Sequence, residues 1–318
     1  MKIAITGATG FIGKLLIKKH IDLGDEVHVL TRKNLTSENQ KGLYFHIGNL
    51  SDIDSLSLFL EGAAVLYHCA AEIRDESIMH LVNVQGTKNL ISAASGKIKH
   101  WVQLSSTGVY GPLYSGIVKE NQLYNPVNEY EKTKLESDYL VLEATKNSIF
   151  TSTLVRPSNV FGFQMTNQSL FQLVKSIDKG FYFFVGFKKG ASANYVAVEN
   201  VIEALYLAAT NPRAKNEIYI ISSWCTIEEF IGNIAKSLDK PFPKFRIPLR
   251  LSKGLAIVTF FIPRNPLTVA RINALSNRVI YNTTKIETEL GYKPIVSMEE
   301  TIIDLVNFYK KKAFINIL

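Results

Sequence analysis

Short apolar runs alternate along the first half of the chain with stretches in which apolar residues return every three or four positions. Ile3-Ala4-Ile5, Val27 to Leu30 within Glu26–Leu30, Leu43–Ile47, Ala63–Cys69, Trp101–Leu104 and Ser152–Arg156 have the length and side chains of strands, and the unbroken apolarity of 63–69 is that of a strand covered on both faces. The intervening periodicity predicts helices from Phe11, from Asp52 as cap to about Leu60, over about Glu76–Ala94 and over about Asn128–Lys146. Strands and helices alternating at this spacing predict an α/β fold, a doubly wound parallel sheet. Beyond Pro157 the alternation loosens into a helix near Gln168–Asp178, an extended piece at Asn194–Val198, a helix over Glu199–Ala209, a strand at Glu217–Ile221 and helices over Ile227–Leu238 and about Met298–Lys311. The expected division is a sheet domain over 1–160 and, over 161–318, mainly a smaller, interleaved C-terminal substrate lobe, with about 194–222 returning to the core.

Between the first strand and the first helix stands Thr6-Gly7-Ala8-Thr9-Gly10-Phe11-Ile12-Gly13. A strand-to-helix turn with glycines at 7, 10 and 13 is what a dinucleotide demands: a tight turn, close backbone approach to a pyrophosphate, and close helix–strand packing. The helix N-terminus offers unpaired N–H groups to the phosphates. This makes the sheet a Rossmann-type, NAD(P)-binding one, with ligands at the carboxyl ends of its strands. Cofactor contacts are therefore expected from Gly7, Gly10, Phe11, Ile12 and Gly13, and from the strand-end residues Arg32, Asn49, Leu50, Ala70, Ala71 and Pro157. The second strand runs into Thr31-Arg32-Lys33 with no acid to meet a ribose 2′-hydroxyl, which argues for a 2′-phosphate and hence NADP, NAD being the alternative.

The fifth strand delivers Ser105-Ser106-Thr107 to the same edge, and on the helix that follows, Tyr130 and Lys134 lie one turn apart on one face. A lysine ammonium beside a phenol is expected to favour the phenolate and so tune Tyr130 for proton transfer. Tyr281 and Lys285 repeat the spacing, but far in sequence from any cofactor element, and are expected to be structural.

Composition adds three points. At 47% apolar and 20% charged residues the chain is globular. Two cysteines make no disulfide framework, the first strand starts at Lys2 with no room for a leader, and Leu255–Ile262 is too short to span a bilayer, so a cytoplasmic protein is expected. The net charge of +8 is uneven: Lys240 to Ile286 contains no Asp or Glu but holds nine Lys and Arg residues, among them Arg246, Arg250, Lys253, Arg271 and Arg278. Such a field suits an anionic substrate group or an acidic membrane surface. No metal site and no nucleic-acid partner are expected.

Together these residues resemble the extended short-chain dehydrogenase/reductase superfamily, in its nucleotide-sugar epimerase/dehydratase branch. The similarity covers nearly the whole chain: the glycine motif, Asn83-Val84-Gln85-Gly86-Thr87, Ser105-Ser106 with Val109-Tyr110-Gly111, Tyr130 with Lys134, Arg156-Pro157-Ser158-Asn159-Val160-Phe161-Gly162, Tyr195 to Glu199, and Lys285 through Leu290-Gly291-Tyr292. The resemblance implies Tyr130 as acid/base, Lys134 on the nicotinamide ribose, Ser106 on the reacting oxygen and Asn159 near the substrate phosphates, with Arg271 or Arg278 as stand-ins for a missing diphosphate arginine. It also implies a homodimer. Dehydratases of the family carry an Asp-Glu pair where this chain has Thr107 and Gly108, which argues against dehydration. The expected activity is that of a 4-epimerase or 4-keto-sugar reductase on a nucleotide-activated or lipid-diphosphate-linked sugar, in the manner of polysaccharide biosynthesis. Peripheral contact with an anionic inner membrane surface goes with it. The competing readings are an NADPH-dependent reductase of a non-sugar carbonyl and a non-catalytic NADP-binding regulator.

Overall fold

The computed structural model describes all residues but 34–39, 164, 166–167, 187–188, 259–271, 274 and 316–318. In chain order the strands are β1 (Lys2–Thr6), β2 (Glu26–Thr31), β3 (Leu43–Ile47), β4 (Val65–His68), β5 (His100–Leu104), β6 (Ser115–Val118), β7 (Thr151–Pro157), β8 (Asn159–Phe161), β9 (Phe184–Val185), β10 (Ser192–Ala197), β11 (Glu217–Ile221), β12 (Ser223–Thr226), β13 (Arg246–Ile247) and β14 (Arg278–Tyr281). Seven of them form one parallel sheet in the order β11-β7-β5-β4-β1-β2-β3. All six strands expected in the first half are there. The fourth is shorter than its apolar run, because Ala63 and Ala64 serve the turn that enters it.

Successive residues of each strand face opposite sides, and both sides are covered. Ile3, Ile5, Val27, Val29 and Tyr67 pack with Leu16 of helix Phe11–Asp22 and with Val201 and Leu205 of helix Val198–Thr210. Ala4, Leu30, Leu66, Trp101 and Leu154 pack with Leu56, Phe59, Leu90, Val141 and Ala144 from helices Ile53–Phe59, Gly86–Ala94 and Glu129–Lys146. Asp52 accepts from the Ser55 amide to start the first of these, and Asn128 and Glu131 form a reciprocal capping box at the start of the last. The helix expected over 76–94 contains a wider, π-helical turn at His80–Gln85. That turn brings the Asn83 amide inward onto the Glu72 backbone, a local demand the apolar periodicity does not carry.

A second core gathers Phe161, Leu170, Val174, Phe184, Phe230, Ile231, Ile234, Ile302 and Val306 beneath a small sheet in which β10 lies parallel to β8 and antiparallel to β12. Two further parallel pairs, β13 with β9 and β14 with β6, lash the C-terminal half to the loops above the main sheet. These strands are two to four residues long and follow contacts distant in sequence.

Candidate active site

The carboxyl ends of β1, β4, β5 and β7 open into a cleft of about 760 Å³ lined by Gly7, Gly10, Phe11, Ile12, Gly13, Ala71, Arg74, Ser106, Tyr130, Lys134, Pro157 and Asn159. A neighbouring cavity of about 530 Å³ takes in Gly7, Gly10, Arg32, Asn49, Leu50, Ala70 and Ala71. Every sequence-predicted cofactor residue thus borders one of two adjoining spaces. The backbone there leaves no room for side chains: Gly7 has φ +69°, and a Cβ on it would lie 2.6 Å from the Ala70 nitrogen, while one on Gly13 would lie 2.3 Å from the Gly7 oxygen. Helix Phe11–Asp22 begins with neither a side-chain cap nor an acid in its first turn, so its positive end faces the cleft uncompensated. Glycine cradle and bare helix end together fit the pyrophosphate of a dinucleotide. Among the described residues of the second cavity the one carboxylate is Glu72, whose Oε1 accepts the N–H groups of Ile73, Arg74 and Asp75 and is thereby held below the usual carboxylate range.

Ser106 and Ser105 part company at the end of β5. Ser105 turns inward and donates to Asp138 Oδ2 at 2.7 Å. Ser106 borders the cleft, accepts the Gly108 amide at 3.0 Å and is hydrogen-bonded to the Tyr130 hydroxyl. Here the electrostatics differ from the sequence expectation. Burial pushes the Tyr130 phenol up to about 12, with Asp138 adding to the rise and the Ser106 hydrogen bond opposing it. Lys134 gives its Nζ to the Leu104 carbonyl at 2.6 Å and is itself lowered by burial. Desolvation dominates and Lys134 is not among the groups that move the phenol, so Tyr130 stands in this cleft as a protonated phenol, set to give a proton to an oxygen placed beside Ser106.

Beneath the cleft runs a buried polar chain whose Thr6, Asn83 and Thr87 stand in the sequence motifs with no role assigned to them, and whose His68 was not singled out. Thr6 Oγ1 meets His68 Nδ1 at 2.7 Å, His68 Nε2 meets Thr87 Oγ1 at 3.0 Å, and Thr87 donates to the Asn83 carbonyl at 2.6 Å. The Asn83 side chain ties down Glu72 and bonds Thr133 on the Tyr130 helix. Four residues beyond Lys134, Asp138 is fully buried with Arg156 at 2.9 Å, and the Arg156 guanidinium lies 5.3 and 4.8 Å from the Tyr110 and Tyr124 rings. All donors to Asp138 converge on Oδ2, leaving Oδ1 without a partner. The i, i+4 spacing from Lys134 was the available signal for Asp138; His68 had none beyond its place at a strand end.

Other expected residues fall elsewhere. Asn159 borders the cleft and also a third cavity of about 400 Å³ lined by Ser192, Asn194, Asn273, Asn277 and Tyr281, where Asn194 Oδ1 is buried and unpartnered. Arg278 does not enter it: its guanidinium donates to the Ser276 and Lys189 carbonyls and borders a separate cavity with Arg250. Arg271 lies outside the described residues. The second Tyr/Lys pair is split. Lys285 pairs with Glu217 at 2.6 Å, but Tyr281, far in sequence, is hydrogen-bonded to the Thr107 side chain beside Ser106. Pairing of β14 with β6 is what carries it there.

Comparison with known proteins gives the family and the fold. The model of the NAD dependent epimerase/dehydratase family matches residues 3–222. UDP-glucose 4-epimerase of Vibrio cholerae is 25% identical over 260 residues, 78% of this chain and 79% of that one. Sterol demethylase protein B of Methylococcus capsulatus is 28% identical over 334 residues, 99% of this chain and 100% of that one. Among solved structures, UDP-glucuronic acid 4-epimerase from Bacillus cereus in complex with NAD superposes with a TM-score of 0.77 at 22% identity, over 98% of this chain and 99% of that one.

Proposed function

The chain belongs to the NAD dependent epimerase/dehydratase family, enzymes of the extended short-chain dehydrogenase/reductase type, and from that premise we propose that it acts at C4 of a nucleotide-activated sugar as an epimerase or a 4-keto-sugar reductase. The observation that carries this reading is the position of Asn159 between two spaces. One holds Ser106, Tyr130 and Lys134; the other is an uncharged cavity in which Ser192, Asn194, Asn273 and Asn277 stand among apolar side chains such as Leu113, Ile227 and Leu275. A two-part substrate fits such a pair of chambers, its reacting sugar in the first and its hydrogen-bonding nucleotide in the second.

In this reading Gly7, Gly10 and Gly13 hold the pyrophosphate against the helix end, and Lys134 holds the nicotinamide ribose. When bound, the dinucleotide supplies or takes the hydride. Ser106 fixes the substrate oxygen, and Tyr130, protonated at neutral pH, gives it a proton as a carbonyl is reduced; oxidation of a carbinol, the first half of an epimerisation, requires Tyr130 to lose its proton first and then take the one the carbinol releases. With Thr107 buried and Gly108 pressed against Glu131, no carboxylate occupies the two places where dehydratases carry theirs. We infer NADP as the preferred cofactor, because Arg32 borders the adenosine-side cavity at the end of β2 while the one carboxylate described there is spent on its own loop. The residues around the second core constitute the proposed substrate lobe.

One observation favours a second reading, a hydroxysteroid-like substrate: the sterol demethylase protein B match runs the full length of both chains, and Ile73, Met79, Val160 and Met165 give the cleft an apolar side. A panel of UDP-, dTDP- and GDP-sugars and of 3-keto sterols, each with and without NADPH, separates the two. Epimerisation or keto-sugar reduction is expected; turnover of sterols alone overturns the nucleotide-sugar reading.

A further inference from the structure

We propose that the face formed by residues 179–186 and 240–253 docks on the surface of an anionic lipid bilayer. Two strips of chain meet there. β13 pairs with β9, the Phe184 amide donates to the Phe245 carbonyl, and the Phe242 ring stacks on that of Phe184. Helix Leu249–Val258 follows, with Ser252 and Ala256 turned inward and Leu249, Arg250 and Leu251 turned out. The side chains left outside are unusual for a surface next to water: Phe181 is 76% exposed, Phe245 67% and Leu251 55%, with Phe242 and Leu249 beside them.

Basic groups stand in the same two strips of chain. Two of the cations expected from the sequence are already satisfied: Arg246 pairs with Glu228 at 2.6 Å and lies over the Phe184 ring, and Lys240 pairs with Asp178 at 3.4 Å. Lys179, Lys244, Arg250 and Lys253 form no ion pair among the described residues. Protruding rings set among unpaired cations match a headgroup layer, in which the rings insert at the acyl boundary and the cations meet phosphates. A second copy is disfavoured as the occupant, since the same basic face would be set against itself in a two-fold contact.

The position of this face bears on access to the cleft. Leu249, Arg250, Ser276 and Arg278 line a cavity of about 460 Å³, and the same 275–278 stretch gives Leu275 and Asn277 to the amide-lined cavity next to the reaction cleft. A bilayer at the docked face therefore stands at the outer end of a row of cavities that leads to Tyr130.

The test is sedimentation of the full chain with vesicles of phosphatidylcholine alone or containing phosphatidylglycerol, at low and high salt. Binding is expected only to the phosphatidylglycerol vesicles. It should fall sharply at 1 M salt, where the screening length is about 3 Å. The triple variant Lys244→Gln, Arg250→Gln, Lys253→Gln should bind on the order of a hundredfold more weakly, and Phe181→Ser with Phe245→Ser should also weaken binding at unchanged net charge. The variants alter exposed or half-buried side chains, and an unchanged melting temperature verifies their fold. Absence of binding at low salt overturns the proposal, as does binding that neither set of variants alters. Self-association in sedimentation velocity without vesicles, abolished by the two Phe variants, would assign the face to a protein partner instead.

Discussion

His68 offers a test of the buried polar chain in which the magnitude follows from the geometry. Its ring is 1% exposed and makes two hydrogen bonds, to Thr6 and Thr87. Because the Thr87 hydroxyl hydrogen goes to the Asn83 carbonyl, Thr87 can only accept from the ring, which assigns the proton to Nε2 and leaves Nδ1 to accept from Thr6. Burial, with Lys134 adding to it, pushes the imidazole down to about 3 from an unfolded value of 6.5. The folded state therefore refuses a proton that the unfolded chain accepts, so stability present above pH 6.5 is lost as pH falls from 6.5 towards 3. At pH 5 the gap from 6.5 amounts to about 2 kcal/mol. Other buried histidines, His20 and His100 among them, are lowered in the same direction, so the total acid loss is larger and His68 must be isolated by difference. Urea unfolding of the wild type and His68→Gln at pH 7 and pH 5 does this. The variant should start less stable yet lose about 2 kcal/mol less between the two pH values. Equal losses in the two proteins would refute a neutral, proton-refusing His68.

Three further outcomes are expected. Tyr130→Phe keeps the ring and removes the proton, so kcat should fall at least about 10²-fold with dinucleotide affinity nearly intact; a variant with wild-type turnover would move the acid/base role elsewhere. Arg32→Asp should shift the ratio of NADP to NAD affinity towards NAD, read by fluorescence titration of both cofactors, whereas an unchanged ratio would leave Arg32 facing solvent. Gly13→Ala forces a methyl to within 2.3 Å of the Gly7 carbonyl, a backbone atom that cannot step aside. A loss of about 1–3 kcal/mol in stability and of the melting-point rise normally produced by added dinucleotide should follow.

Where local chemistry determined structure, the sequence was readable. The glycine motif, the apolar strands and the start of a helix at about Asn128 each depend on a few neighbouring residues, and the structure places them as read, the helix beginning on a capping box of Asn128 and Glu131. Ser106 could be preferred over Ser105 only by resemblance, yet alternation along the chain end of β5 sends one to Asp138 and the other to Tyr130. What escaped was what depends on depth and on distant pairing. Helical spacing puts Lys134 near Tyr130, but it does not say that desolvation raises the phenol while Lys134 turns its ammonium to the Leu104 carbonyl. Tyr281 reaches Thr107 through a four-residue strand pair whose partners are separated by most of the C-terminal half, a contact with no local signature. The carboxylate-free block reads as a field suited to an anionic partner, and the sequence does not show that Glu228 and Asp178 from other segments neutralise part of it.

The position of β11 at the rim of the sheet has a consequence for the order in which the protein can be made. β7 ends at Pro157, and the strand that covers its open side starts at Glu217. During synthesis the first six sheet strands emerge while the β7 N–H and C=O groups that face away from β5 still lack a partner, and Val155 waits for Ile221 and Tyr219. At translation speeds of about 5–20 residues per second that edge stays open for several seconds, a window for mispairing between nascent chains. A fragment cut near residue 160 would retain that open edge permanently, so the glycine-rich half should be far more prone to aggregate by itself than the intact chain.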